Sequence, residues 1–125
     1  MRRTQREVEF EVFRGRLARH VRFPDGRGYT HHCTLEVLEQ VAFAAEERAA
    51  EGVTTQELWD MLADLPTTQI SVALDFLKDR GCLETRGRRS YPATATLYED
   101  AMTEFHYLAH VASERPDASS PPPGF

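Results

Sequence analysis

At 125 residues, 41% of them apolar, the chain is long enough for one domain that buries its own core. A net charge of -5 and a pI near 5.5 argue against a protein that coats nucleic acid indiscriminately, while leaving room for a local basic face. No apolar run approaches the roughly 20 residues that a membrane-spanning helix needs. Cys33 and Cys82 stand far apart without metal-type spacing, so a cytoplasmic protein with reduced thiols and no membrane partner is expected.

The charge is unevenly placed. Residues 1–32 hold eight arginines against four acids, whereas residues 33–65 hold one arginine against eight acids. Residues 66–92 carry five bases against three acids, and residues 93–125 one base against five acids. The two positive stretches are where a nucleic-acid partner would be met, although charged faces are often merely solvated.

From the amino terminus, Val8, Glu9, Phe10, Glu11 and Val12 alternate as a half-buried strand does. A rival helical reading places Phe10, Phe13, Leu17 and Val21 on one face, with Gly15 against it at a cost of about 1 kcal/mol. Phe23-Pro24-Asp25-Gly26-Arg27 has proline, aspartate and glycine where a type I turn with a following left-handed residue wants them. It predicts a hairpin of residues 18–23 and 27–31, with residues 7–13 as a third strand. Thr34 then caps a helix whose apolar stripe is Leu35, Leu38, Val41, Ala42, Ala45 and Ala49, with Glu36, Glu39, Glu46 and Glu47 toward water.

Thr54 and Glu57 have the spacing of a capping box, and Leu58, Met61 and Leu62 follow at helical intervals. Leu65-Pro66 halts that helix. A second begins at once, with Thr67 as its expected cap and Ile70, Ala73, Leu74 and Leu77 as its buried stripe, ending at Gly81. Residues 82–86 and 88–92 read as two short strands joined by a turn at Gly87. Leu97, Ala101, Met102, Phe105, Leu108, Ala109 and Ala112 mark a last helix over residues 96–112, and the proline-rich remainder is expected to be disordered.

Helix, tight turn, helix and hairpin over residues 53–92 resemble the winged helix-turn-helix of bacterial transcription regulators of the broad MarR, PadR and ArsR kind. The resemblance covers roughly residues 34–112. It implies an α+β fold with a three-helix core and a β-wing, carried here on residues 33–112, after an N-terminal β-hairpin extension (1–32) and before a tail (113–125). The resemblance also implies that the terminal helix forms a homodimer seam, through Leu97, Ala101, Met102, Phe105 and Leu108.

On that reading the partner is double-stranded DNA, and the protein is a regulator rather than an enzyme. Thr67, Thr68, Gln69, Ser71 and Val72 would meet base edges or phosphates from the second helix, and Arg86, Arg88 and Arg89 would hold the backbone or enter a minor groove. Asp75 and Asp79, expected on the same outward face, repel phosphate and favour a second reading, a winged helix that docks onto another protein without touching DNA. No cofactor is expected. His31, Cys33, His106 and His110 form a less favoured metal-ligand alternative, because paired histidines without an acidic partner are usually solvated. Cys33 as a redox sensor depends on whether charged histidines or burial governs its thiol.

Overall fold

The computed structural model describes residues 6–114. The element order is β1 (Glu7–Phe13), β2 (Arg16–Arg22), β3 (Gly28–Thr34), α1 (Leu35–Glu47), α2 (Thr55–Met61), α3 (Thr67–Asp79), β4 (Leu83–Arg86), β5 (Arg89–Pro92) and α4 (Leu97–Glu114). This is an α+β arrangement with, among the described residues, a three-stranded antiparallel sheet β1-β2-β3 and a two-stranded sheet β4-β5. The tail expected to be disordered lies, from residue 115 on, outside the described residues.

The first segment forms strands and not a helix. Arg14 and Gly15 adopt φ of 54° and 78°, the pair of left-handed residues that a two-residue hairpin turn requires. Gly15, an obstacle to a helix, is thus the residue that turns β1 into β2 with Phe13 opposite Arg16. Pleating sends Val8, Phe10 and Val12 inward and Glu7, Glu9 and Glu11 outward. The second turn forms as expected, with Phe23 N–H donating to Arg27 O (2.7 Å) and Arg27 N–H donating to Asp25 Oδ1 (2.9 Å).

The core runs from this sheet into the helices without a break. Val12, Leu17 and Cys33 form one row across β1, β2 and β3, fully or nearly fully buried together with Leu38 and Val41 of α1, Phe76 and Leu77 of α3, and Leu97 and Phe105 of α4. β3 passes directly into α1 because Thr34 closes the strand and also caps the helix, its hydroxyl accepting from Val37 N–H (3.2 Å). The buried face of α1 is Val37, Leu38, Val41, Ala42, Ala44 and Ala45; Ala49, expected in that stripe, lies beyond the helix end and is exposed.

Two of the glutamates expected to face water instead hold α4. Glu46 Oε1 accepts from Tyr98 N–H (2.8 Å) at the start of α4, and Glu39 Oε2 accepts from the Tyr98 hydroxyl (3.1 Å), which raises the phenol's pKa. A carboxylate at a helix start is also favoured by the helix dipole. Phe43 stacks on Tyr98 at 4.2 Å, and Arg80 at the end of α3 pairs with Glu104 of α4 at 2.7 Å.

The α2 capping box forms as read, with Thr54 Oγ1 accepting from Glu57 N–H and Glu57 Oε1 accepting from Thr54 N–H. Of the apolar residues on α2 and its end, Leu58 is fully buried, whereas Met61 is 40% exposed. Pro66, not Thr67, takes the N-cap of α3 and provides no side-chain hydrogen bond, because its extended conformation already ends the preceding turn and Thr67 becomes the first helical residue.

Candidate nucleic-acid interface

Helix α3 is enclosed on two sides. Ile70, Ala73, Leu74 and Leu77 face the other helices, and a second buried line, Val72 and Phe76, is covered as well. Phe76 meets Phe10 of β1 edge-on at 5.6 Å. Arg19, only 9% exposed on β2, donates to Asp75 Oδ2 (2.6 Å), and its second nitrogen lies 3.0 Å from His31 Nδ1. The N-terminal sheet therefore packs on α3 itself, a placement that the linear sequence does not announce.

This packing revises the expected contact set. Val72, expected to reach a thymine methyl, is fully buried and cannot touch a ligand. Gln69, expected at base edges, accepts from Thr34 N–H through Oε1 (3.0 Å) and fixes the end of β3. Asp75, expected to repel phosphate, has its charge offset by Arg19. Thr67 and Thr68 are exposed and Ser71 half-exposed, so three hydroxyls remain on the outward stripe of the first two turns, with Lys78 and Asp79 exposed at its far end. The first turn carries no side-chain cap, which leaves its backbone N–H groups and the positive end of the helix dipole toward this surface.

The β4–β5 hairpin turns through Gly87 at φ 64°, the residue that a type II′ turn requires at its first central position. Its arginines part company. Arg88 is exposed at the tip, and Arg86, also an exposed residue, sets its guanidinium over the Tyr91 ring at 4.1 Å. Arg89 points back into the protein: Nε donates to Glu51 O (2.8 Å), and Nη2 donates to Gly52 O (3.1 Å), Glu57 Oε1 (2.7 Å) and Glu57 Oε2 (3.0 Å). That hydrogen bond, more than any other influence, lowers the Glu57 pKa. The expected trio of wing arginines is therefore a free pair and one internal clasp.

The expected seam on α4 is likewise divided. Leu97, Ala101 and Phe105 are already buried in the chain's own core, so they are not available to a second copy. Met102 and Leu108 are half-buried, beside Tyr107 at 56% exposure. The aliphatic spacing that marked the helix records its packing on α1 and β1.

The four residues of the metal alternative do not gather. Among the described residues, no group of three or more His, Cys, Asp and Glu is placed to hold a metal ion. His31 packs at a tilt against Tyr29, ring centroids 4.7 Å apart, and faces Arg19, whereas His106 and His110 lie exposed on α4. Burial pushes the Cys33 thiol up to about 12 and the Cys82 thiol up to about 11, away from the thiolate that a redox sensor uses. A groove of about 490 Å³ opens along the sheet between Glu7, Glu9, Glu11, His20, Arg22 and Tyr29, and its three carboxylates make it unsuited to phosphate.

Sequence reasoning missed the Arg19–Asp75 pair, yet a signal for it existed. Leu17, Arg19 and Val21 share one face of an alternating strand, so an arginine there must find an anion as soon as that face is buried. No helix among the described residues is long and apolar enough to cross a membrane. Compared with protein-family models, with curated proteins and with solved structures, the chain matches none.

Proposed function

We propose that the protein is a winged-helix regulator that binds double-stranded DNA as a homodimer, with the first turns of α3 in the major groove and the β4–β5 hairpin on the backbone. One observation carries the reading: the outward stripe of α3 presents Thr67, Thr68 and Ser71 free at an uncapped helix start, while Asp75 is held by Arg19. Hydroxyls at a helix N-terminus suit phosphate oxygens and base edges. Arg86 and Arg88 provide two exposed cations, which suffice for backbone contacts that carry no sequence information. A second copy would be met on the exposed side of α4 around Met102, Tyr107 and Leu108, and two copies would span half-sites about one duplex turn, roughly 34 Å, apart.

The test is fluorescence anisotropy on promoter-region and scrambled duplexes at several salt concentrations. Arg86→Ala with Arg88→Ala should weaken binding to every duplex about equally and flatten the plot of log affinity against log salt by about 0.9 for each phosphate no longer neutralised. Thr68→Ala or Ser71→Ala should instead relax discrimination between sequences with the slope nearly intact. Absence of saturable binding to any duplex at low salt would overturn the reading and leave docking onto another protein as the better account.

A further inference from the structure

The hairpin has few means of holding its orientation. Of residues 83–92, Leu83 and Ser90 alone are buried, and Ser90 exchanges backbone hydrogen bonds of 2.9 Å in both directions with Val53, in the loop before α2. Gly52 closes this junction from below. Its φ of 76° suits glycine, and a Cβ there would come within 2.8 Å of the Tyr91 ring and 3.0 Å of Ser90 O. What remains is Arg89, which spans from β5 to the carbonyls of Glu51 and Gly52 and to both oxygens of Glu57.

We propose that Arg89 is a positioning residue: by clasping Glu57 and the Glu51–Gly52 carbonyls it sets the hairpin at a fixed angle to α2, and it does not contact the DNA. The proposal rests on the reading of the hairpin as a DNA-binding wing. Three features favour a clasp over a phosphate contact. The guanidinium reaches four acceptors through Nε and Nη2, a fork of donors that lysine cannot reproduce. Glu57 is not a spare anion, since its Oε1 also accepts from Thr54 N–H in the capping box, so the same carboxylate ties the hairpin's angle to the start of α2. If Arg89 swung out to a phosphate, Glu57 would lose its ion-pair partner and bring an uncompensated negative charge to a surface meant for DNA, with Arg48 a weaker influence on it. A chain that used Arg89 on DNA would therefore weaken its own affinity.

Glu57→Gln separates the two roles by sign. Glutamine at this position preserves the capping box, so α2 should keep its start while the ion pair is lost. As a clasp, the pair predicts that Glu57→Gln weakens duplex binding several-fold with an unchanged salt slope. A phosphate-contacting Arg89 predicts stronger binding, because a competing acid has gone. Arg89→Lys sharpens the division: the clasp should fail about as badly as in Arg89→Ala, whereas a phosphate contact should survive the exchange of one cation for another. Arg89→Ala should leave the slope intact, while loss of a phosphate contact would flatten it by about 0.9 per subunit.

Hydrogen exchange provides a reading that needs no DNA. The Ser90 amide, bonded to Val53 O, should exchange about tenfold faster in Glu57→Gln and in Arg89→Lys through local opening of the hairpin, with amides of α1 and α3 unchanged. Unaltered Ser90 exchange in both variants, or tighter duplex binding by Glu57→Gln, would overturn the proposal. Faster exchange together with no duplex binding by the native protein would uphold the clasp and discard the DNA reading instead.

Discussion

Two antiparallel β pieces are attached to the same helices by opposite means. The sheet β1-β2-β3 is joined through its side chains: Val12, Leu17, Val21 and Cys33 are each at most 3% exposed, and Phe10 closes on Phe76. The hairpin β4-β5 is joined mostly through polar groups, by the Val53–Ser90 bridge and the Arg89 clasp, with its tip in solvent. Dry packing resists small displacements because every buried side chain is in contact on all sides, whereas an accessible ion pair contributes little and breaks easily. The sheet β1-β2-β3 is accordingly part of the core in spite of its arginines, and the hairpin is the piece whose angle rests on a few polar bonds.

The most severe way to break the sheet–helix core is from α4. Phe105 is 3% exposed, so Phe105→Asp would bury a carboxylate without a partner and leave a void beside it. The expected loss is about 4 kcal/mol or more, enough to unfold a domain of ordinary stability, read as collapse of the cooperative thermal transition in circular dichroism. A folded monomer in place of a dimer, seen by light scattering, would instead restore Phe105 to the seam.

A milder change probes the same region from the sheet. Leu17, fully buried between Val12 and Cys33, should cost about 2–5 kcal/mol as Leu17→Ala, measured by urea denaturation. The neighbouring thiol reports the same event chemically. With Cys33 pushed up to about 12, its thiolate fraction at pH 8 is about 10⁻⁴, and its burial excludes the reagent as well. Labelling of Cys33 by a maleimide should thus be negligible in the native protein and should accelerate in Leu17→Ala in proportion to the lost stability. Rapid labelling in the native state would mean that the sheet lifts off α3, contrary to the dry row that it forms.

What the sequence made legible follows the same division. Thr54 with Glu57, Thr34 before Leu35, Pro24-Asp25-Gly26 and Gly87 are local devices whose physics is complete within a few residues, and each forms as its neighbours dictate. Period alone leaves β1 open between strand and helix, because Val8, Phe10 and Val12 alternate while Phe10, Phe13, Leu17 and Val21 share one helical face; Arg14 and Gly15 decide it. Docking of the sheet on α3 is not legible. It depends on pairs far apart in the chain, Phe10 with Phe76, Arg19 with Asp75 and Thr34 with Gln69, and this docking removes Val72 and Gln69 from the candidate surface. Arg89 is misread from sequence for a related reason: its charge and its position near the tip suggest phosphate, while its partners lie 32 to 38 residues earlier in the chain.

The smallest expected effect is confined to the hairpin and comes from acid. The Glu57 pKa is lowered in the folded protein, chiefly by the hydrogen bond from Arg89, so the clasp contributes fully above the ordinary carboxylate value of 4.5. It is lost as pH falls below that value through the depressed one, because a protonated Glu57 no longer attracts the guanidinium. The ion pairs of Asp75 with Arg19 and of Glu104 with Arg80 lie on α3 and α4, away from the hairpin. The chemical shift of the Ser90 amide followed by NMR on acidification should therefore move with a midpoint below 4.5. The same titration on Glu57→Gln should show no hairpin transition at all. If the transition persists in that variant, another carboxylate governs the hairpin, and the contrast between a dry sheet and a polar hairpin must be redrawn around Glu84 or Glu51.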